Sequence, residues 1–179
     1  LIVAELTQAI VNKIVDLALV EGDGTNGFKS IEKEADAKKI KKITTKAKSA
    51  GKTPFADAIE EAVDFVRPTA GRRYLIVKAE DRRALLDELR QATANAHVRI
   101  KNDDTEIASE VGVDEIIVYT GTKAVKPTVL VDQKYHIDMQ DITKVDAFEW
   151  KTNSNMILVE TLTSGHVETY NAGAVITVS

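Results

Sequence analysis

An α+β fold is predicted for this chain: a long opening helix, a mixed α/β middle and a β-rich close. Three observations predict it. Apolar residues recur at 3–4 spacing from Leu1 to Val20, helix and strand signals alternate between Thr53 and Tyr119, and after Pro127 the apolar period drops to two.

The opening helix carries Leu6, Ile10, Ile14 and Leu17 on one stripe and Gln8, Asn12 and Asp16 on a polar one. Val3, Val11, Val15 and Ala18 widen its apolar face, which predicts cover on more than one side. Glu21-Gly22-Asp23-Gly24 stops it, because glycine permits the left-handed conformations of a helix end. Between Phe28 and Lys52 only Ile31, Ile40 and Ile43 stand among lysines, and periodicity does not separate helix from strand there. Thr53 is the expected N-cap of a second helix, with Pro54 at its first position and Phe55, Ile59, Ala62, Val63 and Val66 on one stripe. Pro68 ends it, since the residue before a proline is pushed out of helical geometry.

Tyr74–Val77 is an unbroken apolar run, expected as a strand buried on both faces. Asp81 opens a third helix with Leu85, Leu86, Leu89 and Ala92 inward. A short helical piece around Ile107 and Val111 then leads into a strand from Glu115 to Tyr119. The later strands are expected at 128–132, 135–139, 144–150, 156–162 and 167–178. Thr152-Asn153-Ser154-Asn155 and Ser164-Gly165 read as hairpin turns, so the last thirty residues are expected as an antiparallel ribbon.

Composition narrows the function classes. The 179 residues are 44% hydrophobic and 29% charged, enough for one compact domain or two lobes sharing a core. No run reaches the roughly 18 apolar residues of a membrane span. With no cysteine, thiolate metal sites, disulfides and cysteine nucleophiles are excluded. His97, His136 and His166 lie far apart without metal-ligand spacing and are expected as surface or strand residues. Formal net charge is −4 but unevenly spread. Nine lysines face three acids from Lys29 to Lys52, whereas six lysines face thirteen acids from Lys101 onward, a separation that suits head-to-tail contacts between copies. The chain opens on Leu1 rather than methionine, directly into an apolar helix without a cap, which predicts that more polypeptide precedes it.

No motif points to a reaction. Gly22-Asp23-Gly24-Thr25-Asn26-Gly27 matches GxGxxG, yet a dinucleotide loop follows a strand and presents helix N–H groups, whereas this one follows a helix. It also lacks the ligand spacing and closing glutamate of a calcium loop. Glu60, Glu61, Asp87 and Glu88 fall on predicted outer helix faces. No Gly-x-Ser-x-Gly elbow occurs. The lysine-rich segment lacks interleaved aromatics for stacking on single strands. Arg67, Arg72, Arg73, Arg82 and Arg83 form a basic cluster, the candidate subunit-interface residues, suited to carboxylates of a neighbouring copy.

Taken in order these parts resemble the Hong Kong 97-type major capsid proteins of tailed bacteriophages. The opening A-E-L-T-Q-A-I-V-N-K-I-V-D-L-A-L-V runs at once into E-G-D-G-T-N-G-F, as that family's spine helix runs into an N-G-D-G-T-G stretch. Y-L-I-V-K-A-E-D-R-R-A-L-L-D-E-L-R is similar to its strand-then-helix segment, with Lys78-Ala79-Glu80 where the family carries Asn-Pro. The closing V-D-A-F-E-W-K-T-N-S-N-M-I-L-V-E-T-L-T-S-G-H-V-E-T-Y-N-A-G-A-V-I-T-V-S is similar to its final ribbon.

The resemblance implies a capsid fold with a peripheral spine helix and connector over 1–52, an axial domain over 53–142 and a peripheral β ribbon over 143–179. It implies a non-enzymatic shell subunit that needs no cofactor or metal and partners itself in pentamers and hexamers. Scaffolding, protease and portal proteins are further implied partners. Packaged DNA is met non-specifically at most, no membrane is involved, and the location is the virion, assembled in the bacterial cytoplasm. The family's N-terminal arm and extended loop precede the spine helix and are expected outside this chain, so the fragment alone is expected as a monomer or small oligomer. Two other readings stand beside it: an encapsulin-like nanocompartment shell, and a small α/β domain binding an anionic ligand near Arg72 and Arg73.

Overall fold

The structure, a computed structural model, describes residues 2–25, 27–49, 52–139, 143–149 and 154–179; for Ile2, Met139, 143–149 and 154–160 the description is of the backbone. Helix α1 spans Ile2–Asp16 and continues into one wide π-helical turn, Leu17–Glu21, closed by the Gly22 N–H donating to the Leu17 carbonyl at 2.9 Å. Strand β1 (Ile40–Thr44), helix α2 (Pro54–Val66), strand β2 (Arg73–Lys78), helix α3 (Ala79–Ala92), helix α4 (Asp104–Val111) and strand β3 (Glu115–Tyr119) follow. The close is all strand: β4 (Thr128–Val131), β5 (Tyr135–Met139), β6 (Thr143–Glu149), β7 (Ser154–Glu160), β8 (Thr163–Val167) and β9 (Gly173–Thr177).

A five-stranded sheet in the order β1-β9-β4-β2-β3 organises the molecule. β1 runs parallel to β9, β2 parallel to β3, and β4 antiparallel to both β9 and β2, so four of the five strands share one direction. Strands from the first, middle and last parts of the chain thus meet in one sheet. Strand alternation then sets its two faces. Leu75 and Val77 of β2, Val129 and Val131 of β4, and Ala174 and Ile176 of β9 turn toward α2, α3 and α4, closing the main core with Ile59, Leu85, Leu86 and Ile107, each fully buried. On the other face Leu19, Ile31, Ile40, Val167 and Val175 form a smaller core under the π-helical turn.

Several expectations change. Tyr74–Val77 is not buried on both faces: Leu75 and Val77 are, while Tyr74 and Ile76 are half-buried, because the second face is only partly covered. Ala92 is exposed at the end of α3 rather than inward. The terminal stretch 167–178 is not one ribbon strand. Its first part ends β8, which pairs antiparallel with β5, while β9 crosses into the main sheet, and Asn171, at φ 53°, turns the chain between them. Ser164-Gly165 lies inside β8, not at a turn, since a Cβ on Gly165 would meet the Phe28 and Tyr135 rings at 2.8 Å. β6 and β7 do form an antiparallel pair from Thr143↔Glu160 to Glu149↔Ser154. Of the turn foreseen there, Ser154 and Asn155 are in β7, and Thr152 and Asn153 lie outside the described residues.

Glu88 reverses its expected place. It is buried, and its carboxylate accepts from the Phe55 N–H at 3.1 Å and the Ala56 N–H at 2.8 Å, so it serves the first turn of α2. Thr53, the expected N-cap, donates its hydroxyl to Asp57 instead, at 3.0 Å. Glu60, Glu61 and Asp87 do face solvent.

Candidate assembly surfaces

Where a sheet face is incompletely covered, apolar side chains reach the surface. A cleft of about 580 Å³ runs between α1 with its π-helical turn and the second sheet face, floored by Ile76, Ile117 and Leu130 and flanked by Tyr135 and Ile137 of β5. Leu6, Val11 and Val15 of α1, Ile117 and Ile137 are all more than a third exposed. Among the described side chains of α1 only Ile14 is buried, so the broad apolar face expected of the helix is present and largely uncovered.

Polar groups fix how α1 meets the sheet. The Tyr119 hydroxyl donates to the Asp16 carboxylate, and burial together with that carboxylate pushes the phenol above its ordinary value. Glu21 at the end of the π-helical turn pairs with Lys123 at 2.6 Å and with Lys13. These two ammonium groups, Lys123 foremost, hold the Glu21 carboxyl at about 2 against an ordinary 4.5. A depressed carboxyl stabilises the folded state above its unfolded value and loses that contribution as pH falls through the folded one. Acidification from about pH 4.5 toward 2 is therefore expected to cost the wild type stability that Glu21→Gln does not lose. Urea midpoints at pH 7, 4 and 2.5 test this, and parallel pH profiles for the two proteins would refute it.

The five candidate arginines divide between the two ends of β2. At its start, Arg67 pairs with Asp64, Arg72 reaches Glu115 at 3.5 Å and lies 5.6 Å over the Tyr74 ring, and Arg73 donates to the Arg67 carbonyl at 3.3 Å. The buried Arg73 Nε has no partner among the described residues. Past its end, Arg82 contacts Asp104 at 2.6 Å and Asn102 at 2.8 Å, and Arg83 contacts Asp87 at 3.4 Å. These carboxylate contacts lie within the chain itself.

Histidines distant in sequence meet in space. His136 and His166 are cross-strand partners in β5–β8, ring centroids 6.4 Å apart, with Glu168 at 3.8 Å from the first and 2.8 Å from the second. Antiparallel register brought them together, which spacing along the chain does not reveal. The His166 hydrogen bond, then the His136 charge, hold the Glu168 carboxyl low. Among the described residues no group of three or more acids and histidines is arranged to hold a metal, and no helix is long and apolar enough to cross a membrane.

Comparison with known proteins bears on what these surfaces serve. No protein-family profile matches the chain. Over all 179 residues it is 96% identical to the capsid protein of Lactococcus phage p2 and, equally, to that of Lactococcus phage SK1. It spans 46% of the length of each. Among solved structures it is similar to the capsid of an empty GTA particle, with TM-score 0.59 and 13% identity over 98% of this chain and 66% of that one. It is also similar to the satellite phage P4 procapsid that includes the size determination (Sid) protein, with TM-score 0.56 and 13% identity over 99% and 63%. At such identity the likeness shows the fold, a mixed helix-and-sheet fold shared with phage capsid structures.

Proposed function

We propose that this chain is the core of a structural subunit of an icosahedral phage shell, of Hong Kong 97 type, whose complete gene product assembles to enclose DNA. The observation that carries it is 96% identity, along every part of the chain, to capsid proteins of two phages. The shared fold with capsid structures supports the same reading. So does the surface: a subunit that works by contact keeps apolar side chains such as Val11, Val15, Ile117 and Ile137 available to other polypeptide instead of burying them internally.

On this reading the protein is non-enzymatic and resides in the virion. Residues 1–52 and 143–179 supply a peripheral lobe, and residues 53–142 an axial one that gathers around symmetry centres. The lobes share a sheet rather than folding apart, since β1 and β9 pair with each other and β9 pairs with β4. Self-association is the central partnership, and closed symmetry lets each of many moderate contacts contribute repeatedly. Scaffolding, protease and portal proteins are proposed further partners. Electron microscopy of the complete gene product is expected to show rings or closed shells; persistent monomers across salt and concentration would overturn the proposal.

A further inference from the structure

We infer that His136 and His166 form a two-imidazole site for a borderline divalent metal ion such as zinc, with Glu168 as third ligand, on the outer face of the β5–β8 ribbon. The inference stands apart from the shell-subunit reading and uses only this chain's own residues. Antiparallel register sets His136 directly opposite His166, and strand alternation turns both side chains to the face opposite Tyr135, Gly165 and Val167. Those inward residues are pinned. The Tyr135 hydroxyl donates to the Lys29 carbonyl at 3.1 Å, the Gly165 N–H donates to the Gly27 carbonyl at 2.9 Å, and the Gly165 carbonyl accepts from the Lys29 N–H at 2.9 Å. The two histidines thus project from a backbone fixed beneath them, so an ion would not have to order the scaffold that holds it.

Both Nε2 atoms face one carboxylate. His166 Nε2 lies 2.8 Å from Glu168 Oε1, and His136 Nε2 lies 3.8 Å from Glu168 Oε2. A surface hydrogen bond accounts for the first contact, but not for the approach of a second imidazole to the same group. At rest the three are not arranged as ligands, because the carboxylate fills the gap in which an ion would sit about 2.0–2.2 Å from each donor atom. The side chains of His136, His166 and Glu168 are 46%, 43% and 60% exposed, so rotamer changes alone let Glu168 step out of the gap and the rings close on an ion. Each imidazole then binds as the neutral ring through Nε2, with its proton on Nδ1. Glu168, held low by the His166 hydrogen bond and then the His136 charge, stays ionised for the third position. Lys39 stands nearby: its ammonium group donates to the Val167 carbonyl at 3.2 Å, and its charge reaches Glu168. One carboxylate beside a lysine offers little to magnesium or calcium, which need several oxygen ligands, whereas two imidazole nitrogens select zinc, nickel or copper.

Titration calorimetry with zinc on the metal-stripped complete gene product tests this against single variants, each checked for an unchanged circular-dichroism melt without metal. The wild type is expected to bind one zinc ion per chain more than His136→Ala or His166→Ala. Glu168→Gln keeps both nitrogens and removes a charged ligand, so it is expected to retain the site at roughly tenfold lower affinity. His97→Ala, which removes the third histidine of this chain, is expected to bind as the wild type does. Magnesium at about 5 mM is expected not to compete. A ribbon tied by an ion opens less often, so zinc is also expected to slow hydrogen exchange at the β5 and β8 amides of the wild type and not of His136→Ala. Equal zinc uptake by the wild type and both variants at His136 and His166 overturns the inference, whether or not the complete gene product forms shells. Loss of the additional ion in His97→Ala overturns it as well.

Discussion

Glu88→Ala is expected to destabilise the folded chain by about 3 kcal/mol, a large share of the roughly 5–15 kcal/mol that holds a domain of this kind. The first N–H groups of a helix have no partner inside it. In α2 those of Phe55 and Ala56 are buried, and both are satisfied by one carboxylate reaching across from α3, at 3.1 and 2.8 Å. That carboxylate also sits at the positive end of the α2 dipole. Its removal strands two buried donors, each costing on the order of 1–3 kcal/mol, with partial relief as water or the backbone adjusts. Glu88→Gln keeps one carbonyl acceptor and is expected to lose about half as much. Urea denaturation gives the free energies, and hydrogen exchange at the Phe55 and Ala56 amides shows whether the loss begins at that helix end. An alanine variant within about 0.5 kcal/mol of wild type would show that the contact contributes nothing net.

Glu88 also marks the limit of what periodicity reveals. The helix α3 was legible from Leu85, Leu86 and Leu89, which are buried as expected. The same stripe puts Glu88 on the outer face, and nothing local says that another helix will present bare N–H groups to it. The same limit explains Thr53, whose residue type is right for a cap but whose hydroxyl turned to Asp57 once a better acceptor filled the place. Elements with a strong period were readable: α1, α2, β2, β3 and β4 to β7 lie close to their expected ranges, whereas β8 falls on an expected turn and β9 is only the last part of the expected 167–178 strand. β1 was not, because Ile40 and Ile43 are separated by two lysines that satisfy themselves at Glu61 and at backbone carbonyls, so its apolar signal has neither period. Partners across the sheet were beyond sequence reach as well. The crossing of β9 away from β8 to lie between β1 and β4, and the meeting of His136 with His166, are set by tertiary register and not by neighbours in the chain. The apolar face of α1 was legible as breadth, since Val11 and Val15 widen its stripe, and both side chains stay more than a third exposed.

Gly22→Ala is expected to cost about 3 kcal/mol, whereas Gly24→Ala, two residues on, is expected to cost about 1 kcal/mol, although both belong to the same GxGxxG-like stretch. Gly22 has φ −60° and ψ 122°, a conformation open to any residue, so its requirement is space. A Cβ there would lie 2.7 Å from the Leu17 carbonyl oxygen and 2.8 Å from that of Phe28, both backbone atoms that cannot swing aside. Relief would have to separate the end of the π-helical turn from the segment carrying Phe28, breaking the Gly22 N–H to Leu17 and Ser30 N–H to Gly22 carbonyl bonds, both 2.9 Å. It would also shift Phe28, whose ring is buried against Gly165. Gly24 has the opposite requirement: φ +90° strains an alanine, but nothing lies within 4 Å of the added methyl. The glycines that mimic a phosphate loop are thus fitted to close packing of the π-helical turn against the Phe28 segment at the first position and to a left-handed turn at the third. Because this packing joins the end of the π-helical turn to the Phe28 segment, Gly22→Ala is expected to lower the melting temperature by about 6–12 °C and to reduce ordered assembly of the complete gene product, while Gly24→Ala leaves assembly near wild type. Calorimetry and negative-stain microscopy of both variants measure this, and equal effects at the two positions would contradict the assignment of close packing to Gly22.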